Sequence, residues 1–328
     1  MAVRYVVGVD VGGTNVVVGT MPEDGSALYG HQVEPTDVGG GPDGAINQIE
    51  RLVTTSMSQA RAEVGTDIDV VGIGIGAPGP LDTITGTVLL TPNLGWTNVP
   101  LRDRVGSALG LPATLDNDAN CAVLGEWWCG AARGGRVVVG LTIGTGIGGG
   151  IVLDGKIFRG ASDVAGEFGH ASIDQSGRKC NCGNYGCVEA YAAGPAIARR
   201  AVEGIEAGAD SVLAQYVNGE LDRVTAKTVS EAARDGDAFC LEVIRETAHI
   251  LGGAIANLVN IFNPDVVVIC GGVTAAGSHL FDPLSNQVRQ RAFRPGVTAC
   301  RIVPGSLPGT AGVYGAVASY MSQTWGTD

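Results

Sequence analysis

The sequence predicts an α/β fold with mixed sheets in two lobes, and three observations indicate it. A chain of 328 residues has the length of roughly two domains. Runs of β-branched residues alternate along it with segments of helical periodicity. A strand, a glycine turn and a second strand occur at 6–18 and again at 137–153. This repeat in two separate halves of the chain agrees with two domains.

The elements of the first part follow from local patterns. β-branched or alternating residues between turn residues predict strands at 6–9, 16–18, 28–33, 70–75 and 113–115. Apolar residues at helical spacing predict helices at about 46–57 and 101–109, and the run 116–120 is expected to open a third helix that reaches about 129.

The remaining elements are read in the same way. Further strands are expected at 137–143, 151–153 and 266–270, and the glycine- and cysteine-rich segment 159–186 is expected to be irregular. Long helices are expected at about 237–261 and 311–321. The first of these has no charge after Glu246, so its second half is expected to be buried.

Composition excludes several classes of protein. A net charge of −12 is unfavourable for holding a nucleic-acid backbone over a broad surface. The uncharged segment 137–153, which we considered as a candidate membrane span, is short for that purpose and contains six glycines. The N-terminus has no apolar stretch of signal-peptide length. We therefore expect a cytoplasmic protein that binds neither nucleic acid nor membrane.

Two glycine turns are candidates for phosphate binding. Asp10 is followed by Gly12, Gly13 and Thr14, whereas Gly144-Thr-Gly146 begins a run that spells the dinucleotide fingerprint. That fingerprint requires a helix after its glycines, and a strand is predicted here instead. The alternatives are ordinary hairpins and hairpins whose backbone N–H groups bind phosphate.

A second cluster indicates a metal site. Cys180, Cys182 and Cys187 lie within eight residues, and His170 precedes them by ten. Three thiolates and an imidazole form a typical structural zinc site. Free thiols are the alternative.

Asp118 is the candidate for acid–base chemistry. It lies at a predicted helix start, where the helix dipole keeps a carboxylate ionised. The alternative is that Asp116, Asn117 and Asp118 only cap the helix.

Together these motifs resemble the ROK family of repressors, open reading frames and kinases, within the actin-like ATPase and sugar-kinase superfamily. Within the family, the bacterial glucokinases are most similar. The matching segments span most of the chain and are Asp10–Thr14, Asn93–Trp96, Asn117–Asn120, Leu141–Gly148, Gly166–His170, Cys180–Glu189, Asn263–Asp265 and Gly271–Gly272. Two departures concern the nucleotide side: Cys270 stands where the family usually has a glycine, and Leu307–Thr310 differs from its usual turn.

The resemblance implies a two-lobed actin-like ATPase (ribonuclease H-like) fold with a zinc loop, in which 1–116 plus 313–328 form a small lobe and 117–312 form a large lobe. It also implies ATP-dependent phosphorylation of glucose to glucose 6-phosphate. It implies that Asp118 is the general base, that structural Zn²⁺ is bound by His170 and the three cysteines, and that Mg²⁺ accompanies ATP. Residues implied in sugar binding are Gly79, Asn93, Asn117, Asp118, Glu167, His170 and Glu189. Residues implied in nucleotide binding are Asp10, Gly12, Gly13, Thr14, Gly144, Thr145, Gly146, Gly271 and Gly272.

Several alternatives stay open. Other ROK kinases act on N-acetylglucosamine, N-acetylmannosamine, mannose or fructose, and polyphosphate is a second donor. ROK repressors carry a DNA-binding segment before the first glycine turn, whereas nine residues precede Asp10 here, so a repressor is not expected. We expect a homo-oligomer, either a dimer or a tetramer.

Overall fold

The computed structural model describes residues 3–91 and 93–325. Its contacts divide the chain into two compact units. The first comprises Met1–Gly134, Gly150–Gly166 and Ser306–Asp328, and the second comprises Gly135–Gly149 and Glu167–Gly305. This division differs from the lobes at 1–116 plus 313–328 and at 117–312, which stay a prediction. Met1, Ala2, Pro92 and residues 326–328, which those ranges include, lie outside the described residues.

The secondary structure confirms an α/β fold with mixed sheets. The strands are β1 Arg4–Val11, β2 Asn15–Pro22, β3 Tyr29–Pro35, β4 Asp69–Ala77, β5 Leu81–Asp82, β6 Thr87–Thr91, β7 Trp96–Val99, β8 Ala113–Asn117, β9 Val137–Ile143, β10 Ile147–Leu153, β11 Lys156–Ile157, β12 Val266–Cys270 and β13 Arg301–Pro304. The helices are α1 Gly41–Val64, α2 Leu101–Leu109, α3 Asp118–Trp128, α4 Glu189–Ala192, α5 Gly194–Glu206, α6 Leu213–Tyr216, α7 Ala226–Arg234, α8 Ala238–Phe262, α9 Ser278–Arg291, α10 Arg294–Ala299 and α11 Ala311–Thr324.

The main sheet of the first unit has the strand order β3-β2-β1-β4-β8. Both of its faces are covered, because alternate side chains of a strand point to opposite sides. Val7 and Val9 pack into the core beneath α1, whereas Val6 packs with residues of α11. This burial on both sides explains the nearly continuous valine runs of β1 and β2.

Strands β1, β4 and β8 are parallel, so their carboxyl ends share one edge of that sheet. Asp10 pairs in register with Gly76, and Gly76 pairs with Asp116. We call these strand ends the polar edge. A Cβ on Gly76 would lie 3.1 Å from Cys121 Sγ and 3.6 Å from Asp118 Cα. Glycine at position 76 therefore lets the start of α3 lie close to the edge.

In the second unit, β12 lies between β9 and β13 and is parallel to both. Helices α5, α7, α8 and α9 contribute to one large apolar core with these strands. Asp237 caps α8 by accepting a hydrogen bond from Cys240 N at 2.7 Å, so the helix begins where the sequence predicts. Among the described residues, no helix combines the length and the apolar character that crossing a bilayer requires.

Several elements are longer than predicted: the helix predicted at about 46–57 spans Gly41–Val64, and β10 is a further example. Strand β10 begins at Ile147 rather than at 151. Gly144 N donates to Gly146 O at 2.9 Å, which closes the turn within three residues and leaves the later glycines in the strand.

A buried carboxylate holds two loops of the first unit. Glu126, in the last turn of α3, is 1% exposed. Its oxygens accept hydrogen bonds from Ala131 N at 2.8 Å, Ser306 N at 3.0 Å and Leu307 N at 2.8 Å. These donors lie close to the points where the chain leaves the first unit and returns to it.

We expect Glu126→Ala to lower the free energy of unfolding by about 2 kcal/mol, because backbone donors lose their acceptor. Chemical denaturation measures it. Glu242→Ala, which removes an exposed ion pair with Arg245, is the control and should cost less than about 1 kcal/mol. Equal losses in the two variants would contradict this role of Glu126.

Candidate functional site

The first glycine turn joins β1 to β2 in the first unit. Gly12 N donates to Asn15 O at 2.9 Å and closes the hairpin, while Gly13 and Thr14 are exposed at its tip. Asp10 lies just before the turn, at the polar edge. Burial and the neighbouring charge of Asp118 raise the pKa of Asp10 to about 7. The structure therefore brings these two carboxyl groups within electrostatic range of each other.

Asp116, Asn117 and Asp118, the three candidate capping residues, make different hydrogen bonds at the start of α3. Asn117 is the N-cap residue, and its Oδ1 accepts hydrogen bonds from Ala119 N and Asn120 N at 2.9 and 3.1 Å. Asp118 begins the helix itself, where its Oδ1 accepts from Ala119 N at 2.8 Å. Asn117 is therefore the capping residue, and Asp118 lies one residue further on, in the first turn of the helix. Asp116, by contrast, is 1% exposed and satisfied by neighbouring donors.

The remaining sugar candidates of the first unit lie in loops. Gly79 has a φ of +85°, and a Cβ there would lie 2.1 Å from Leu90 O, so only glycine fits. Asn93 is exposed in the turn between β6 and β7. Close backbone packing thus explains Gly79 without a ligand.

The second unit contains a cavity of about 870 Å³ at the second glycine turn. Gly144, Thr145 and Gly272, three of the residues predicted to bind the nucleotide, are among its lining. Gly146 and Gly271 are not part of the lining. A Cβ on Gly271, whose φ is +98°, would lie 2.1 Å from Ile143 O, so this glycine allows the end of β12 to pack on β9.

Most of the lining was missed by sequence reasoning. The other residues lie in the first turns of α5, in α7 and the residues just before it, and in the 3-10 turn Gly272–Ala276. They include Gly194, Pro195, Ala198, Val224, Thr225, Lys227, Ser230, Glu231, Arg234, Val273 and Ala275. The residues from α7 recur at helical spacing, on one face of the helix. That periodicity is visible in the sequence, but it does not indicate that the face lines a cavity rather than meeting solvent.

His170, Cys180, Cys182 and Cys187 lie together in the second unit, with their ligand atoms within 4.8 Å of one another. Cys182 Sγ lies 3.7 Å from Cys187 Sγ, and Cys180 Sγ lies 3.8 Å from His170 Nδ1. Tetrahedral zinc bonds of about 2.3 Å place two sulfur ligands about 3.8 Å apart. Burial raises the pKa of the Cys187 thiol to about 12, so a cation is needed to keep it as a thiolate. The donor set fits a metal ion.

Glu189 connects this cluster to the second glycine turn. Its Oε2 accepts a hydrogen bond from Ile147 N at 2.9 Å, and Cys180 Sγ donates to its Oε1 at 3.6 Å. A Cβ on Gly146 would lie 2.6 Å from Oε2, so the turn packs directly on the carboxylate. His170 Nε2 lies 3.9 Å from Glu167 Oε2. Three predicted sugar contacts of this unit therefore lie around one cluster.

Comparison with known proteins agrees with this arrangement. The chain is 38% identical to a glucokinase of Halalkalibacterium halodurans over 96% of its own length and 94% of that protein. A xylose repressor of Caldicellulosiruptor bescii is also 38% identical, over 77% of this chain and 63% of the repressor.

A solved structure gives the same result. The ROK family glucokinase of Streptomyces griseus, crystallised with glucose and AMPPNP, superposes with a TM-score of 0.82 and 35% identity, covering 95% of this chain and 98% of that one. This agreement confirms the fold expected from the resemblance. The ROK family model matches residues 6–322. The chain belongs to the ROK family.

Proposed function

We propose that this protein is a glucokinase that transfers the γ-phosphoryl group of ATP to the C6 hydroxyl of glucose. The observation that carries the proposal is the similarity, along nearly the whole chain, to a glucokinase crystallised with glucose and an ATP analogue. ATP as donor also favours the cytoplasm. The xylose repressor shares the sugar-kinase part of this family, and no feature of the described residues favours DNA binding.

Asp118 is the proposed general base. Its carboxylate lies at the first turn of α3, where the helix dipole stabilises a negative charge. It accepts the proton of the C6 hydroxyl as that oxygen forms a bond to the γ-phosphorus, and ADP leaves with the electron pair of the broken bond. Enzymatic phosphoryl transfer depends mainly on such positioning and on charge stabilisation.

The proposed sugar contacts are hydrogen-bonding groups of both units. Asn117 and Asp118 supply an amide and a carboxylate, and Gly79 and Asn93 supply loop contacts. Glu167, His170 and Glu189 supply the contacts of the second unit. His170 supports a double role, because its Nδ1 faces Cys180 and its Nε2 faces Glu167. These contacts support Nδ1 as the metal ligand and Nε2 as a hydrogen-bonding group for a sugar hydroxyl.

The nucleotide is proposed to bind in the cavity beside the second glycine turn. The apolar side chains of Ala198, Val224 and Val273 suit a purine base. Gly144, Thr145 and Gly146 would hold phosphate oxygens, as would Gly12, Gly13 and Thr14, because glycine lets backbone N–H groups approach an anion closely. Gly272 would contact the purine base, and Gly271, which packs on β9, would hold Gly272 in that position.

Mg²⁺ is the proposed partner of ATP, and it would neutralise charge on the phosphates. Asp10 is proposed to orient a water molecule of the hydrated ion. The raised pKa of Asp10 supports this role, since a nearby cation would relieve the cost of its buried charge.

Zn²⁺ is the proposed metal of His170, Cys180, Cys182 and Cys187. A Cys₃His set leaves no open coordination position, so its role is structural. It would hold the segment that carries Glu167 and His170. A dimer or tetramer of this chain stays a prediction.

Asp118→Asn should bind glucose within about fivefold of the wild type while kcat falls by about 10²–10⁴, the usual contribution of a general base. Calorimetry measures binding, and a coupled ADP-release assay measures turnover. The same assay with mannose, fructose, N-acetylglucosamine, N-acetylmannosamine or polyphosphate ranks the alternatives. Asp43→Asn, an exposed position, is the control, and substantial turnover by Asp118→Asn contradicts the assignment.

Asp10 should make stability depend on pH. The folded protein holds its proton up to about pH 7, whereas the ordinary pKa is 3.8. The folded state therefore binds more protons between these values, and the contribution of Asp10 to stability falls as the pH rises through that window. Asp10→Asn should thus gain stability relative to the wild type from pH 4 to pH 8, measured by denaturation without Mg²⁺. A constant difference over this range would refute the burial of that charge.

The purified protein should hold zinc, as measured by mass spectrometry of the metal. Cys182→Ser should lose most of it and lower Tm, because three ligands hold zinc less firmly than four. Cys300→Ser, outside the cluster, should keep both. Retention of full zinc content by Cys182→Ser would overturn the proposed ligand set.

A further inference from the structure

Asp116 lies at the polar edge and is only 1% exposed, so its carboxylate is a buried charge. It accepts hydrogen bonds from Ser319 Oγ at 2.7 Å and from Asn117 N at 2.9 Å. Asn120 Nδ2 donates at 3.3 Å and Arg159 Nη2 at 2.5 Å. The donors come from the strand end, from α3, from α11 and from the loop after β11. One carboxylate therefore joins four segments of the first unit.

Two of these segments, the end of β8 and the start of α3, flank Asp118. Asn117 precedes it and Asn120 follows it by two residues, so two of the hydrogen bonds to Asp116 bracket the proposed base. The position of the Asp118 carboxylate thus depends on the position of Asp116, although these two side chains need not touch.

Arg159 belongs to the segment that leads to the other proposed sugar contacts. Gly150–Gly166 belongs to the first unit, and the second unit resumes directly after it at Glu167. Asp163 Oδ2 fixes the same segment by accepting from Thr83 N and Thr83 Oγ1 at 3.0 and 3.1 Å. The bond from Arg159 to Asp116 therefore links this segment directly to the start of α3.

Arg159 also compensates charge. Asp10, Asp116 and Asp118 all raise the pKa of the buried Cys121 thiol, and Arg159 lowers it, so the three carboxyl groups and the guanidinium act on the same region. Burying a carboxylate costs several kcal/mol unless a partner offsets it. Without Arg159, Asp116 would be a buried charge beside two other acidic groups.

We propose that Asp116 and Arg159 are positioning residues for phosphoryl transfer: their ion pair holds the start of α3, with Asp118, and the segment before Glu167 in the geometry that the reaction needs. The inference rests on the proposed function. A buried ion pair generally adds little to stability compared with apolar residues, so this pair is expected to act on turnover more than on folding.

The test compares Arg159→Met with Arg159→Lys. Misplacement of a reacting group by about 1 Å can cost about 10²-fold in rate, so Arg159→Met should lower kcat by about 10- to 100-fold and raise the KM for glucose. The KM for ATP should stay within about twofold, because the cavity lies in the second unit. Arg159→Lys should recover kcat to within about fivefold, since a single hydrogen bond and the charge can be kept by an ammonium group.

Two further variants separate positioning from folding. Arg200→Met removes another partly buried guanidinium, which is paired with Glu246 in the second unit, and should leave kcat within about twofold at a similar loss of Tm. The double variant Asp116→Asn/Arg159→Met removes both charges and leaves no unpaired one, so it should fold even if Arg159→Met does not. It should still show the loss of kcat.

The outcomes are distinct. Wild-type kcat and glucose KM in the double variant, or an equal loss of kcat in Arg200→Met, would overturn the inference. A wild-type protein with no kinase activity on any hexose would instead overturn the proposed function. Loss of kcat in Arg159→Met with recovery in Arg159→Lys supports the pair as a positioning device.

Discussion

The parallel pairing of β1, β4 and β8 is the constraint on which the candidate site of the first unit depends. These strands are buried on both faces, so polar side chains are excluded from their lengths and collect at their ends. Parallel pairing then places the ends at one edge, where Asp10, Gly76 and Asp116 are in register. A glycine at the centre of that row leaves room for α3 and its first residue, Asp118.

Acidic groups collected at one edge repel one another, and the structure offsets this repulsion differently for each group. Asp10 has a raised pKa and so takes up a proton near neutral pH, or a cation in its place. Asp116 is satisfied by Arg159 and by three neutral donors. Asp118 lies at a helix N-terminus, which stabilises its negative charge. Three identical side chains thus have three different electrostatic surroundings.

In the second unit a single carboxylate connects the candidate residues. Glu189 contacts both Cys180 and the backbone of the second glycine turn. A metal ion in the cysteine cluster would therefore influence the turn beside the cavity through one side chain, without taking part in chemistry. A metal ion held there would lie near residues that the resemblance assigns to the sugar.

The sequence by itself determined the α/β class, most strands and long helices, the glycine turns, the Cys₃His cluster and the family, because each rests on local periodicity or on the spacing of residues close in the chain. The cavity lining and the contacts of Glu126 and Glu189 were not accessible to it. Asp116 shows why: beside Asn117 it reads as one more capping residue. Only the tertiary structure brings Arg159 and Ser319, 43 and 203 residues away, onto its carboxylate. Such pairings depend on how separate segments pack, and no local pattern encodes them.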